Sequence, residues 1–260
     1  MTKIDKDTIM KEYNLKYKDY IREGIKKYKG FFQDPFLPPT IISLPKIFIN
    51  KKIEKRTISI LNGKVKIHEG SPEYKVIKKE IKKLIKINNL KKVSILDIGC
   101  GDCGVADYLN VFNIPFEYEG VDISRIQTDY KIYHDLSEIG NKKYDMIIMA
   151  HVAEHMNYKE YLVNFQEKIE RLLENEGVFI FATPNPLSLR SQFCDITHVQ
   201  IYPWHQAYAL LRLNFREVDV IRAVHLTKIR DIIFYPLKVF LAKLINVDYA
   251  GGLIYVCKKK

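Results

Sequence analysis

The chain predicts an α/β fold: a central sheet covered by helices on both faces, with a helix-and-hairpin appendage in front. Three observations carry this reading. Short apolar runs at 93–96, 116–121, 132–134, 144–150 and 177–183 alternate with stretches suited to helices. A glycine-rich turn follows the first run directly. Charge also divides the chain: residues 1–92 hold 24 Lys or Arg against 10 Asp or Glu, whereas 93–260 carry a net −3. We therefore place a basic appendage at 1–92 and the main domain at 93–260, a division that 260 residues can accommodate.

In the appendage, Ile9, Tyr13, Tyr17, Tyr20, Ile21 and Ile25 recur at helical intervals, predicting an amphipathic helix over Asp7 to Lys29. Gly30 and the prolines at 35, 38, 39 and 45 then interrupt regular structure. Two alternating runs, 57–61 and 64–68, flank Asn62-Gly63 and predict a β-hairpin. Ser71, Pro72 and Glu73 supply an N-cap, a first-position proline and a first-turn acid for a basic helix reaching about Ile87.

Val93 to Leu96 read as the first buried strand, followed by Asp97 and by Gly99, Gly101 and Gly104 at G-x-G-x-x-G spacing. Glycines let the backbone turn sharply and approach a ligand before a helix beginning near Val105. Asp97 narrows the ligand. A dinucleotide would set a pyrophosphate against this loop, where a carboxylate repels it. S-adenosylmethionine carries an ammonium and a sulfonium, which a carboxylate attracts. Asp122 ends the second strand 21 residues beyond Gly101, where an acid can accept bonds from ribose hydroxyls. Asp135 follows the third strand and could accept a bond from an adenine amino group. The alternative for both acids is helix capping.

LDIGCG (Leu96 to Gly101), GVDIS (Gly120 to Ser124), YDMIIMAHVAEHM (Tyr144 to Met156) and LLENEGVFIFATPNP (Leu172 to Pro186) together resemble the ordered motifs of class I S-adenosylmethionine-dependent methyltransferases. The resemblance implies a Rossmann-like, seven-stranded, mostly parallel sheet whose last strand runs antiparallel. It implies that Asp97, Gly99 and Gly101 hold the methionine end of the cofactor, Asp122 the ribose, and Asp135 with Leu136 the adenine. Ile123 and Ala150 are expected as further donor contacts. The Asp102-Cys103 pair departs from the family pattern by adding a second acid to the loop.

Two later segments carry candidate chemistry at the carboxyl ends of the strands: 151–155 (HVAEH) and 195–204 (DITHVQIYPW). If the acceptor is a hydroxyl, a base of near-neutral pKa assists, and His155 and His198 are the candidate catalytic residues. For His155, orienting the loop and capping the next helix is the structural alternative. His151-x-x-Glu154-His155 formally matches a zinc-peptidase pattern, but that pattern needs both histidines on one helix, and His151 abuts a buried strand. Glu154, His155 and His198 also resemble the metal-holding element of small-RNA 2′-O-methyltransferases, with His151 standing where those enzymes have a Glu. No metal ligands are assigned on that basis, and metal dependence stays open.

Residues 206–213 predict a helix, 217–224 a sixth strand and 252–258 a seventh. Between these strands, 227–247 is amphipathic and broken by Pro236, and it is expected to pack against the protein, with substrate cover, dimer packing or docking on a membrane surface as the alternatives. The Asp-x-Thr-His run after TPNP, with this insertion, resembles bacterial methyltransferases of surface-polysaccharide and nucleotide-sugar pathways. The expected activity is thus O-methylation of a small polar or sugar-like acceptor with S-adenosylmethionine as cofactor. RNA methylation through the basic region 1–92 is the alternative. Four cysteines make no disulfide framework at this length, and the Cys100-x-x-Cys103 pair lacks a partner pair for a four-cysteine zinc site. With no long apolar run or signal-like start, the chain reads as cytoplasmic.

Overall fold

A computed structural model of the chain describes residues 6–28, 40–43, 71–124, 127–156, 165, 167–188, 195–226, 229–245, 248 and 250–259. The elements run α1 (Lys6–Lys27), β1 (Thr40–Ser43), α2 (Pro72–Asn88), β2 (Val93–Ile98), α3 (Gly104–Val111), β3 (Phe116–Val121), β4 (Lys131–Tyr133) and β5 (Tyr144–Ala150). They continue with α4 (Glu167–Leu172), β6 (Leu173–Pro184), α5 (Trp204–Arg212), β7 (Phe215–His225), α6 (Ile229–Ile233), α7 (Tyr235–Ile245) and β8 (Gly252–Lys259). Short 3₁₀ turns occupy Leu136–Ile139 and Ala153–His155.

One sheet orders the strands β1-β7-β8-β6-β5-β2-β3-β4. All neighbours pair parallel except β8, which is antiparallel to both β6 and β7. The seven expected strands are present, and β1 adds an eighth at the β7 edge. The chain proceeds outward from β2 through β3 to β4, then returns to β5 on the other side of β2. This reversal opens a crevice beyond the carboxyl ends of β2 and β5, the position where open α/β sheets take ligands.

Strand pleating sends successive side chains to opposite faces, so the sheet builds two cores. Leu96, Ile147, Met149, Phe179, Phe181 and Tyr255 face one side with α5. Ile95, Met146, Ile148, Ile180 and Ile254 face the other with α2 and α3. The near-continuous apolar runs of β5 and β6 reflect burial on both faces.

Within the front region, the described elements α1, β1 and α2 pack on this sheet or its helices. α2 buries Val76, Ile77 and Ile81 completely against the sheet, each fully buried side chain contributing about 1.5–3 kcal/mol. It ends at Asn89 in the left-handed conformation, whose N–H bonds back to the Ile85 carbonyl. α1 lies against α5: Glu23 accepts from the Tyr208 hydroxyl at 2.9 Å and from Arg212 Nε at 3.2 Å. Tyr17 packs on the same core. The hairpin expected at 57–68 lies outside the described residues.

Candidate functional site

The loop after β2 is shaped by backbone bonds and by two glycines with positive φ. The Val121 carbonyl accepts from Gly99 N–H at 2.7 Å and Cys100 N–H at 3.3 Å, folding the chain back over β3. Gly99 has φ +71°, and a Cβ there would lie 2.2 Å from Cγ2 of Val152, so the β5 loop closes directly onto it. Gly101 has φ +49°, and a Cβ there would meet nothing within 4 Å. The loop thus presents bare backbone to open space, a cradle suited to a ligand. Gly101 N–H donates to Asp122 Oδ2 at 2.9 Å, while Asp122 Oδ1 accepts from Ser124 N–H at 2.8 Å.

Asp97 stands buried at this strand end and accepts from the Tyr118 hydroxyl at 2.7 Å. Burial raises its carboxyl pKa; the Tyr118 bond opposes the rise and nearby Asp122 adds to it, leaving the value at about 7. Burial, then the charges of Asp97, Asp102, Glu73 and Asp107, likewise push the Tyr74 hydroxyl up. Among the described residues no Lys or Arg forms an ion pair with Asp97 or Asp122. Within a chain of net charge +11, Asp97, Asp102 and Asp122 gather at this end of the sheet, and among the described residues none of the three is ion-paired with a cation. A cationic ligand relieves that repulsion, and a diphosphate would worsen it. The residues therefore fit S-adenosylmethionine.

The other expected donor residues are less uniform. Asp135 accepts from Ser137 N–H at 2.7 Å and caps the short 136–139 turn, so the capping role is present in the fold. Leu136 is buried in the core beneath it. Ile123 is 93% exposed at the rim, and Ala150 is half-buried at the end of β5.

Past β5 the chain enters His151, at φ +59°. The imidazole lies between two buried carboxylates, Glu154 at 3.2 Å and Glu73 at 3.7 Å. Burial disfavours its charged form, but the bonds and charges of Glu154 and Glu73 prevail and raise its pKa to about 10. Glu73 responds in kind: burial would raise its pKa, but His151 and the Ser71 hydroxyl hold it at about 2. Ser71 thus bonds the Glu73 side chain and makes no side-chain cap on the α2 backbone, contrary to its expected use. With one nitrogen bonded to Glu154 and the other facing Glu73, His151 is not part of a peptidase-like zinc pair with His155.

The fold brings the two candidate catalytic histidines together. The rings of His155 and His198 lie 5.0 Å apart, edge to face. His155 Nδ1 is 3.0 Å from Thr197 Oγ1 and 3.2 Å from the Thr197 carbonyl. The Thr197 hydroxyl donates its only hydrogen to Asp195 Oδ1 at 2.6 Å, so His155 Nδ1 carries the proton and donates. In the neutral ring, that tautomer places the lone pair on Nε2. The Glu154 carbonyl accepts from the N–H groups of Val199 and Gln200, tying the two loops together. Potential ligand atoms of Glu154, His155 and His198 all lie within 4.8 Å of one another. Glu154 Oε2 and His198 Nδ1 are buried without a hydrogen-bond partner among the described residues.

Glu73, Tyr74, Tyr118, Val152 and Thr197 complete the site; the sequence assigns none of them a site role, although Val152 and Thr197 lie in the two segments expected to carry chemistry. Tyr118 and Val152 look like ordinary core residues in their local patterns. Glu73 read only as a first-turn acid, because its partner His151 is 78 positions away.

Comparisons with known proteins accord with this geometry. A family described as a methyltransferase domain matches residues 70–227. The ubiquinone biosynthesis O-methyltransferase of Pelagibacter ubique (strain HTCC1062) is 26% identical over 161 residues, covering 55% of this chain and 66% of that protein. The match therefore spans slightly less than two thirds of that relative. A SAM-dependent methyltransferase from Archaeoglobus fulgidus superposes with a TM-score of 0.52 at 17% identity, covering 72% of this chain and 94% of that one. The 1,6-didemethyltoxoflavin-N1-methyltransferase of Burkholderia thailandensis, solved with 1,6-didemethyltoxoflavin and S-adenosylhomocysteine, gives 0.51 at 13% identity, covering 81% and 88%. At those identities the two structures establish the fold.

Proposed function

This chain belongs to the methyltransferase-domain family as an S-adenosylmethionine-dependent methyltransferase, and from that premise we propose that it methylates an oxygen of a small polar or sugar-like acceptor. The observation that carries the donor half is the buried Asp97, close to Asp122 and paired with no Lys or Arg among the described residues. For the acceptor half, the support is a pair of histidines at the same end of the sheet. The O-methyltransferase name of the Pelagibacter relative agrees with an oxygen acceptor.

S-adenosylmethionine, when bound, supplies a methyl group on a cationic sulfur. Asp97 would hold the ammonium of its methionine end, with Gly99 and Gly101 keeping the backbone close. Asp122 uses one lone pair on each oxygen for Gly101 and Ser124; a carboxylate offers about four, which leaves it able to accept from ribose hydroxyls. Asp135 similarly retains acceptor capacity toward the adenine side, with Ile123, Leu136 and Ala150 around the nucleoside. Methyl transfer is an in-line displacement, so alignment supplies much of the acceleration. His155 Nε2, oriented by the Asp195–Thr197 relay, or His198 takes the proton from the acceptor hydroxyl.

Calorimetry with S-adenosylmethionine tests the donor half, with binding expected for the wild type and about 100-fold loss in Asp97→Asn, the scale of a charge-assisted bond worth about 3 kcal/mol. Unchanged affinity would reject the assignment. A mass-spectrometric screen of acceptors for a gain of one methyl group tests the other half; methylation confined to nitrogen or carbon would reject it. The +14 of residues 1–92 supports RNA as the alternative acceptor, and failure to shift RNA at low salt removes it.

A second reading has its own observation. The unpartnered Glu154 Oε2 and His198 Nδ1 beside His155 form a two-histidine, one-carboxylate donor set, the kind that holds zinc or a similar divalent transition metal. Such an ion would lower the pKa of an acceptor hydroxyl in place of a free base. Titration with Co²⁺ reads the site without turnover: visible d–d absorption that disappears in His198→Ala and Glu154→Gln is expected. Absorption unaffected by both substitutions, or none at all, returns the histidines to base catalysis.

A further inference from the structure

The excursion between β7 and β8 leaves the sheet at His225 and re-enters at Gly252, which pairs with Pro184 at the end of β6. Both attachment points therefore lie at the carboxyl end of the parallel strands, the end that carries the candidate site. The sequence allowed this segment to pack against the protein, and Val239 is buried. Most of its large apolar side chains point outward instead. Ile233, Phe234, Leu237, Phe240, Leu244 and Ile245 are all more than half exposed, from 51% at Leu237 to 70% at Leu244. Single exposed apolar residues need no explanation, but a contiguous run of them marks an interaction surface.

The pattern extends beyond these helices. Apart from Ile25 and Ile87, every exposed large apolar side chain among the described residues lies in a segment that leaves the sheet at this end, including Ile123, Ile196, Val199 and Ile201. Basic residues accompany them: Arg230 and Lys238 are exposed, and α7 contains no acid. Asp231 is the one acidic residue between 229 and 245 in the sequence.

We propose that the α6–α7 ridge, which leaves the sheet at its carboxyl end, docks this protein on an anionic lipid surface. Hydrocarbon covers the apolar side chains, and anionic headgroups meet the basic residues beside them, the arrangement of an interfacial helix. A second copy of the chain is a poorer occupant. Apposing two ridges would bring Arg230 and Lys238 of each copy together in molecules of net charge +11, with little acid to offset them. The contact is peripheral, since no helix among the described residues is long and apolar enough to cross a membrane. This surface does not depend on the methyl-transfer reading.

The test is co-sedimentation of the full chain with phosphatidylglycerol/phosphatidylcholine (1:1) vesicles and with phosphatidylcholine vesicles. The expected result is binding to the first, at least tenfold weaker binding to the second, and at least tenfold loss in the double variant Phe240→Glu/Leu244→Glu. Both positions are exposed, so circular dichroism and calorimetry with S-adenosylmethionine should match the wild type; that donor readout also separates failure of docking from failure of the site. Wild type remaining in the supernatant overturns the proposal. So does equal pelleting of the variant, which would assign binding to residues 1–92. A wild-type dimer that the variant dissociates would make a second copy the occupant and overturn it as well.

Discussion

The loop after β2 and the loops after β5 and β6 reach the same end of one sheet, yet they are built differently. In the first, the groups described are already satisfied within the protein: Gly99, Cys100 and Gly101 give their N–H groups to Val121 and Asp122, and Tyr118 holds Asp97. In the second, His155 is oriented by Thr197, but Glu154 Oε2 and His198 Nδ1 are buried and unsatisfied. An unsatisfied buried polar atom costs about 1–3 kcal/mol. On the reading proposed above, the difference separates a preorganised donor side from an acceptor side that keeps two buried polar atoms open for a ligand, proton or ion.

Substitutions on the acceptor side should affect turnover and spare donor binding. The largest effect is expected for His198→Ala and His155→Ala, each lowering kcat by about 10²–10⁴, the usual range for a lost acid–base group, with S-adenosylmethionine affinity unchanged by calorimetry. A parallel loss of affinity would break the separation of the two sides.

Gly99→Ala tests the donor side by shape. The new Cβ meets Val152 and must also accept a positive φ, so stability should fall by about 2–4 kcal/mol in urea unfolding. Adding Val152→Ala should recover the steric part and leave the 1–2 kcal/mol of backbone strain. No recovery would show that the two loops do not touch as described.

Charge on the donor side should appear as pH dependence. Asp97 sits near pKa 7 in the free protein, so below that pH a cationic donor must first displace a proton. Affinity for S-adenosylmethionine should then improve by up to about tenfold per pH unit between pH 5.5 and 7 and level off above, a slope that Asp97→Asn abolishes. A flat profile in the wild type would remove Asp97 from donor binding.

His151 ties the loop after β5 to the first turn of α2, and its effect is on stability. Its pKa rises from 6.5 to about 10 on folding, so its contribution is complete below pH 6.5 and disappears as pH climbs through 10. His151→Gln should cost about 2 kcal/mol at pH 6, less than the ~3–5 of a fully buried pair because the imidazole is 47% exposed. The cost should shrink by pH 10.5; equal loss at both values would assign it to packing.

Strand periodicity and the ordered motifs made most of the sheet legible before any coordinates, because burial on both faces writes apolar runs such as 144–150 directly into the chain. Asp97 and its glycines were legible for a similar reason: a tight turn beside a charge is a local requirement, met by adjacent residues. β1 was not, since four residues at a sheet edge leave too short a pattern. The contacts of Glu73 with His151, and of His155 with the Asp195–Thr197 relay, were not legible either. Those partners are separated by 78 and about 40 positions and meet only because the first turn of α2 and the loops after β5 and β6 reach the same end of the sheet. The sequence by itself determined the fold class and the charge of the donor loop, both set by short-range sterics and patterning. Only the tertiary structure decided which distant side chains share protons, which polar atoms are left open and which apolar side chains face outward, because each depends on packing between elements far apart in the chain.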